Sequence, residues 1–306
     1  MSVKVIEKSV LSSDRIHELK GVIYLPQGTP KAFLHVVHGM TEHIGRYDGF
    51  MREMAEEGYI VFGYDNLGHG KTARSKQELG YIAKKDGWKR LANDVAVFSA
   101  AVKSEYGKTL PYYLMGHSMG SFIVRTAAKD YCTPDNLIIM GTGGKQAASG
   151  VGLAVIKTVK RFKGEKHISK TVDKLAFGGY NKKFKDENDP RSWLSSKKDS
   201  RDKYKNDEYC DFKFTVSAMR DLVTLSRYAN SKKWFKGLNR TIPVLLVAGD
   251  SDPVGNNGKG VRQVYDRLIK TGHNAEIKLY KGCRHEILND VCAPEVTADI
   301  KEFLKK

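Results

Sequence analysis

The stretch GHSMG, residues 116–120, sets Ser118 between two glycines at the spacing of a sharp turn. The apolar run YYLM leads into it and SFIVRTAAKDY leaves it with a helical pattern, so Ser118 falls at a strand-to-helix turn. Gly116 and Gly120 suit such a turn, where strand and helix backbones approach closely. A hydroxyl placed there stands at the carboxyl edge of a parallel sheet, with a helix N-terminus behind it to favour negative charge. Serine is a poor nucleophile at neutral pH, so this chemistry requires a base and an acid that orients the base. The three groups are expected to follow successive strands in the order Ser, Asp or Glu, His. In IPVLLVAGDSDPV a buried-type strand ends at Gly249, with Asp250 and Asp252 on the loop beyond it. In AEIKLYKGCRHEIL, His285 lies just past the last strand, where it can serve as the base.

An acyl-transfer site also needs donors for a developing oxyanion. HVVHGMTEH ends an early strand with His38-Gly39, so the backbone N–H of Met40 is one candidate donor. The N–H of Met119, directly after the serine, is the other. The remaining histidines have other expected places: His35 packed within a strand, His69 near the pocket without a required role, and His17, His167 and His273 on the surface. DNLGHGKT resembles a phosphate-binding loop but carries Asp65 where that loop requires glycine, so the spacing excludes it.

The elements that must position these residues follow from apolar runs alternating with amphipathic stretches, the pattern of βαβ units and a mostly parallel sheet. Strands are expected at 21–25, 33–37, 59–64, 112–115, 137–140, 244–247 and 276–280, and helices at 47–57, 88–106, 121–131 and 259–271. Two early runs, 3–10 and 17–25, have no helix between them and are expected to pair as an antiparallel edge. From Gly141 to Leu238 the rhythm fails, giving way to short amphipathic pieces and a charge-dense middle. The predicted fold is therefore an α/β core formed by 1–140 and 239–306, with a helical cap inserted at 141–238. The first cap helix, VGLAVIKTVKRFKG, carries Val151, Val155, Val159 and Phe162 on one face and cations elsewhere.

A chain of 306 residues can bury a substantial core. Its net charge of +17 makes nucleic acid or an anionic membrane conceivable partners, but it carries no helix-turn-helix, aromatic RNA-binding motif or metal-bound finger. No nucleic-acid partner is expected. Four cysteines, Cys132, Cys210, Cys283 and Cys292, form no CxxC pair and are expected to be reduced small hydrophobes. The N-terminal segment has scattered charge and no apolar core of a signal peptide, so the expected location is cytoplasmic, with a possible peripheral membrane contact. The sequence leaves the oligomeric state open.

HGMTEHIGRY, DNLGHG, GHSMGS, GDSDPVG and RHEILND together resemble the α/β-hydrolase superfamily, specifically its monoacylglycerol lipase and lysophospholipase-like branch with a serine aminopeptidase-like core. WLSSKKDSRDKY and CDFKFTVSAMRDL resemble that branch's exit from the cap, and the likeness runs from about Lys31 to Phe303. The resemblance implies Ser118 as nucleophile, Asp252 as acid, His285 as base, and Met40 and Met119 as oxyanion donors. It favours Asp252 over Asp250 because the acid of this branch precedes a proline, here Pro253. It also implies that no metal or organic cofactor is needed. The expected activity is hydrolysis of a lipid carboxylic ester, a monoacylglycerol or a lysophospholipid. Two alternatives stand beside it: an aminopeptidase using cap acids such as Glu187, Asp189 and Glu208 to hold an amine, and a non-catalytic basic binding module.

Overall fold

A computed structural model describes residues 3–306, so Met1 and Ser2 of the sequence-assigned core lie outside the described residues. Eight strands form one sheet: β1 (Lys4–Leu11), β2 (Glu18–Leu25), β3 (Ala32–Val37), β4 (Tyr59–Tyr64), β5 (Tyr112–His117), β6 (Asn136–Met140), β7 (Val244–Gly249) and β8 (Ala275–Tyr280). Their spatial order is β1-β2-β4-β3-β5-β6-β7-β8. β2 pairs antiparallel with both β1 and β4, and every pair from β4/β3 onward is parallel. The burial pattern follows from position. β3, β4 and β7 are buried at every residue, which is why they read as unbroken apolar runs, whereas edge strand β1 is wholly exposed or half-buried.

Alternate residues of the strands feed two cores on opposite faces of the sheet. Leu34, Val61, Met115 and Leu245 pack against α1 (Asp48–Glu56) and α10 (Ala293–Phe303). Phe33, Leu114, Ile139 and Leu246 pack against α2 (Gly87–Tyr106), α3 (Met119–Asp130) and α9 (Lys259–Lys270). Between β6 and β7 the chain forms α4 (Ser149–Lys163), α5 (Lys170–Phe177), α6 (Lys198–Asn206), α7 (Val216–Ala229) and α8 (Lys232–Gly237). This excursion has two characters. Val216, Leu225 and Trp234 of α7 and α8 belong to the same core as α2 and α3, while α4 exposes Val151 and Phe162 to solvent at 70% and 76%.

α7 meets the start of α2 at a buried carboxylate. That of Asp221 sits against the first turn of α2, where its Oδ1 accepts from Arg220 Nη2 at 3.2 Å and its Oδ2 has no hydrogen-bond partner among the described residues. A Cβ on Gly87 would lie 2.3 Å from Asp221 Oδ2, so only glycine admits this approach.

The structure corrects three sequence expectations. Cys283 and Cys292 are joined as a disulfide, with Cα atoms 6.5 Å apart, because the loop after β8 turns back on itself before α10. His273 is buried rather than on the surface, its ring between Thr271 Oγ1 and the main-chain oxygen of Leu238. His17 is half-buried and bridges Asp14 and Glu78 at 2.5 and 3.0 Å. Its burial alone would lower its pKa, but those two carboxylates outweigh it and raise it.

Candidate active site

Ser118 ends the turn between β5 and α3 with φ 55° and ψ −119°, a conformation L-residues rarely adopt. The close packing that enforces it is visible at the glycines. A Cβ on Gly116 would sit 2.3 Å from the Gly120 carbonyl oxygen, and one on Gly120 would sit 2.2 Å from that of Val37. Side chains at either position would push α3 off the sheet.

Around Ser118 the three strand-end motifs converge. Ser118 Oγ lies 2.8 Å from His285 Nε2, and His285 Nδ1 lies 2.9 Å from Asp252 Oδ2. Asp252 is fully buried, and its other oxygen accepts the Val254 N–H at 2.8 Å. Asp250 points elsewhere: its Oδ1 accepts the Gly282 N–H and the Ser251 hydroxyl, bracing the turn after β8. Trp193 of the cap covers the His285 ring, with centroids 5.2 Å apart.

Met119 is the first residue of α3, so its N–H has no intrahelical acceptor and is free to donate. Met40 follows Gly39 on the loop after β3, and both methionines line the cavity beside Ser118. Gly39 serves a purpose the sequence did not reveal. A Cβ there would meet Glu42 Oε1 at 2.7 Å and Ser118 Cβ at 3.0 Å, so glycine lets this loop close onto the nucleophile.

That loop rests on a buried charge network that sequence reasoning missed. Glu42 accepts the Gly39 N–H at 2.6 Å, the Tyr47 hydroxyl at 2.9 Å and Arg46 Nη1 at 2.8 Å, and lies 3.2 Å from His117 Nδ1. Arg46 in turn makes a two-pronged pair with Glu286, the residue after the candidate base. His117 Nε2 donates to the main-chain oxygen of His285 at 3.1 Å. Burial would raise the Glu42 pKa, but the hydrogen bond to His117 and the charge of Arg46 hold it well below the ordinary carboxylate range. Burial likewise works to lower His117, and Glu42 outweighs it, so its pKa is raised. The signal was present as an acid and a base four apart in EHIGR, followed far downstream by HE.

Other motif residues prove to be braces. His38 donates from Nδ1 to the Gly39 carbonyl and accepts the Asn66 N–H at Nε2, and burial lowers its pKa to about 4. His69 is buried between Phe212 and Phe214, directly behind Phe212, which lines the cavity while His69 itself does not. His35 is packed in β3, where burial lowers its pKa to about 3. Asp65 accepts the N–H groups of Ile44 and Lys71, and a Cβ on Gly70 would lie 2.1 Å from it, so DNLGHG is a structural turn. Among the described residues one trio, His43, Asp207 and Cys210, brings metal-ligating atoms within 4.8 Å of one another. His43 and Asp207 already bond each other at 2.8 Å, and the positive charge of Arg46 acts on Cys210, which opposes a cation there.

The family model described as Serine aminopeptidase, S33 matches residues 28–291. The chain belongs to that family. Within it, the human monoglyceride lipase is 26% identical over 278 residues, covering 90% of this chain and 81% of that protein. A 101-residue segment is 36% identical to the monoglyceride lipase homolog of Monkeypox virus, and spans about a third of that protein's length, 34%. The crystal structure of a thermostable carboxyl esterase from Bacillus coagulans, in complex with glycerol, superposes with a TM-score of 0.93 at 30% identity, covering 100% of this chain and 98% of that one. This S33 member is thus an α/β-hydrolase of the monoglyceride lipase-like branch, and its mostly parallel eight-stranded sheet is the sheet of that fold.

Proposed function

We propose that the protein is a carboxylic ester hydrolase that cleaves a lipid ester, a monoacylglycerol or a lysophospholipid, through Ser118, His285 and Asp252. The observation that carries this reading is the 2.8 Å approach of Ser118 Oγ to His285 Nε2 at the wall of a cavity of about 870 Å3. That volume lies in the range of small-molecule sites. Its walls include Phe122, Val155, Ile156, Val172 and Leu222, which suit an acyl chain. In this mechanism His285 takes the Ser118 proton as the alkoxide attacks the ester carbonyl, forming a tetrahedral intermediate. The N–H groups of Met40 and Met119 hold its oxyanion. His285 then protonates the departing alcohol, and afterwards activates the water that releases the acid from the acyl-enzyme. Asp252 keeps Nδ1 protonated and supports the charge that builds on the ring.

Glu187, Asp189 and Glu208 weigh against the aminopeptidase alternative, because each of these three is already paired. Glu187 holds Arg284 and Arg201, Asp189 holds Arg201, and Glu208 holds Lys76. An incoming ammonium group would have to break one of these pairs.

The exposed Val151 and Phe162 of α4 and Leu175 of α5, with Lys157, Arg161 and Lys163 nearby, suit contact with an anionic lipid surface that supplies the substrate. Phe162→Asp is expected to reduce sedimentation with anionic vesicles, and raising salt to weaken it further; indifference to both counts against the contact.

The catalytic reading is tested by fatty-acid release from a monoacylglycerol, a lysophospholipid and an aminoacyl anilide. Ser118→Ala is expected to abolish lipid turnover, by about a millionfold if the triad acts as a unit. Anilide cleavage with intact lipids would move the protein to the peptidase class, and turnover surviving in Ser118→Ala would remove the serine from the mechanism.

A further inference from the structure

Beside the acyl cavity, where the N-terminus of α4 meets the end of α7 and the face of α9, lies a second recess of about 290 Å3. Lys145, Arg227, Lys232 and Arg267 line it, and no aspartate or glutamate does. The arginines spend their hydrogen bonds on neutral oxygens: Arg227 Nη1 donates to Ser149 Oγ at 3.1 Å, and Arg267 Nη1 to the Asn230 carbonyl at 2.8 Å. Four cations around one concavity repel one another and raise the local potential for an anion. The start of α4, at Ser149, adds the partial positive charge of a helix N-terminus.

A fifth cation lies beneath the floor. Arg125 is fully buried, and its guanidinium donates to Thr142 Oγ1, to the Ala229 carbonyl and to Asn230 Oδ1, the last from a residue that lines the recess. Its guanidinium stacks over the Trp234 ring at 4.5 Å, but its Nε has no hydrogen-bond partner among the described residues, and none of these acceptors carries a charge. Burial, together with the positive charge of Arg267, lowers its pKa to about 9. A buried cation without a counter-ion is costly, and an anion above Asn230 would offset that cost. Arginine forks match the oxygens of phosphate more closely than they match a spherical halide.

We propose that this recess is a phosphoryl-binding site, occupied by inorganic phosphate or by the phosphomonoester head group of a lysolipid. The second source follows from the plan of the cavities. Gln146, Ser149 and Ser226 line both the recess and the acyl cavity, so one molecule can place a phosphoryl group in the first and an acyl chain in the second. That source rests on the ester hydrolase reading, whereas phosphate binding itself does not.

The test uses the full chain as Ser118→Ala, to prevent turnover, titrated calorimetrically with inorganic phosphate and with chloride at matched ionic strength. Saturable phosphate binding is expected, weakened by about tenfold in Arg227→Gln and again in Lys232→Gln, since each removes one charge-assisted contact. Both side chains are exposed, so the variants keep their fold; phosphate should also raise the melting temperature of the parent and raise it less in the variants. Heat that does not saturate, equal affinity for chloride, or affinity unchanged in both variants would overturn the proposal. The sources are separated with the intact serine, by comparing kcat/KM for a 1-acylglycerol 3-phosphate and for the matching monoacylglycerol. A loss of about tenfold in the variants for the first substrate alone assigns the site to the lipid head group. Weaker phosphate binding with both rates unchanged assigns it to free phosphate. Failure of both esters to react refutes the hydrolase reading and leaves the calorimetric result to decide the site.

Discussion

Glu42→Gln isolates the charge beneath the loop that carries Met40 while keeping the shape of the side chain. In the parent, Glu42 is 3% exposed and accepts from Gly39, Tyr47 and Arg46, with His117 beside it. Removing one partner of a buried ion pair costs about 3–5 kcal/mol. Arg46 retains Glu286 at 2.6 and 2.7 Å, so the expected loss lies at the low end, about 3 kcal/mol. At about 2 °C per kcal/mol that is a fall of about 6 °C in Tm. The Gly39 N–H adjoins Met40, whose N–H is the proposed oxyanion donor, and one such donor is worth about a hundredfold to a thousandfold in rate. A loop displaced rather than lost should forfeit part of that, about tenfold in kcat with KM little changed. The pH dependence supplies the sharper check. His117 has its folded pKa raised, so its stabilising contribution is fully present below its unfolded value and is lost as pH rises through the folded one. Glu42 has its folded pKa lowered, so its contribution is present above its unfolded value and is lost only as pH falls through the folded one. The deficit of the variant should therefore be greatest near about pH 6 and shrink toward alkaline pH. Urea melts across pH, with kcat for a p-nitrophenyl ester, make the measurement. A variant matching the parent in Tm, with kcat within about twofold, would show that the charge does not hold the loop.

Asp221 titrates in the opposite sense, because burial raises its pKa to about 6. Against an ordinary 3.8, that gap corresponds to about 3 kcal/mol, which the folded protein loses as pH rises from about 4 to 6. Asp221→Asn lacks this slope, so it should gain on the parent across that window in urea melts and hold a constant difference above it; a difference independent of pH would refute the assignment. The Cys283–Cys292 disulfide closes a loop with a sequence separation of 9 and is worth about 2–3 kcal/mol in chain entropy. Denatured without reductant, the chain should expose two titratable thiols, Cys132 and Cys210, and reductant should lower its Tm; four thiols, or an unchanged Tm, would remove the cross-link.

The inner strands β3 to β7 were legible because parallel strands covered on both sides are continuous apolar runs, and all eight strands begin and end within a few residues of their expected places. The strand-end positions of Ser118 and Asp252 were legible for the same reason, since the chain has to turn at the end of each run, and that of His285 from its place just past the last strand. Helix α10 was not read, although Val296, Ile300 and Phe303 are spaced for one buried face and Pro294 stands in its first turn. Arg46, Glu42 and Glu286 stayed hidden because charged residues are ordinarily solvated, and sequence position carries no sign of the fold that buries them together. The disulfide was missed on the same ground: cysteine spacing says nothing about a loop that doubles back.

A segment within the charge-dense middle of the cap also supports the loop of the candidate base. His285 N–H donates to the Trp193 carbonyl and Glu286 N–H to that of Leu194, while Arg284 Nη1 donates to the Ser192 carbonyl. Residues 192–195 thus act as a splint for the histidine loop, although they are contiguous in sequence with the helices that line the proposed acyl cavity. The insertion is consequently separable into an exchangeable part and a fixed part. A chimera that borrows residues 145–180 from another family member should acquire that donor's chain-length preference and keep its turnover. One whose borrowed segment extends through 195 replaces the splint and should lose activity toward every ester, a contrast that a single panel of acyl lengths would read.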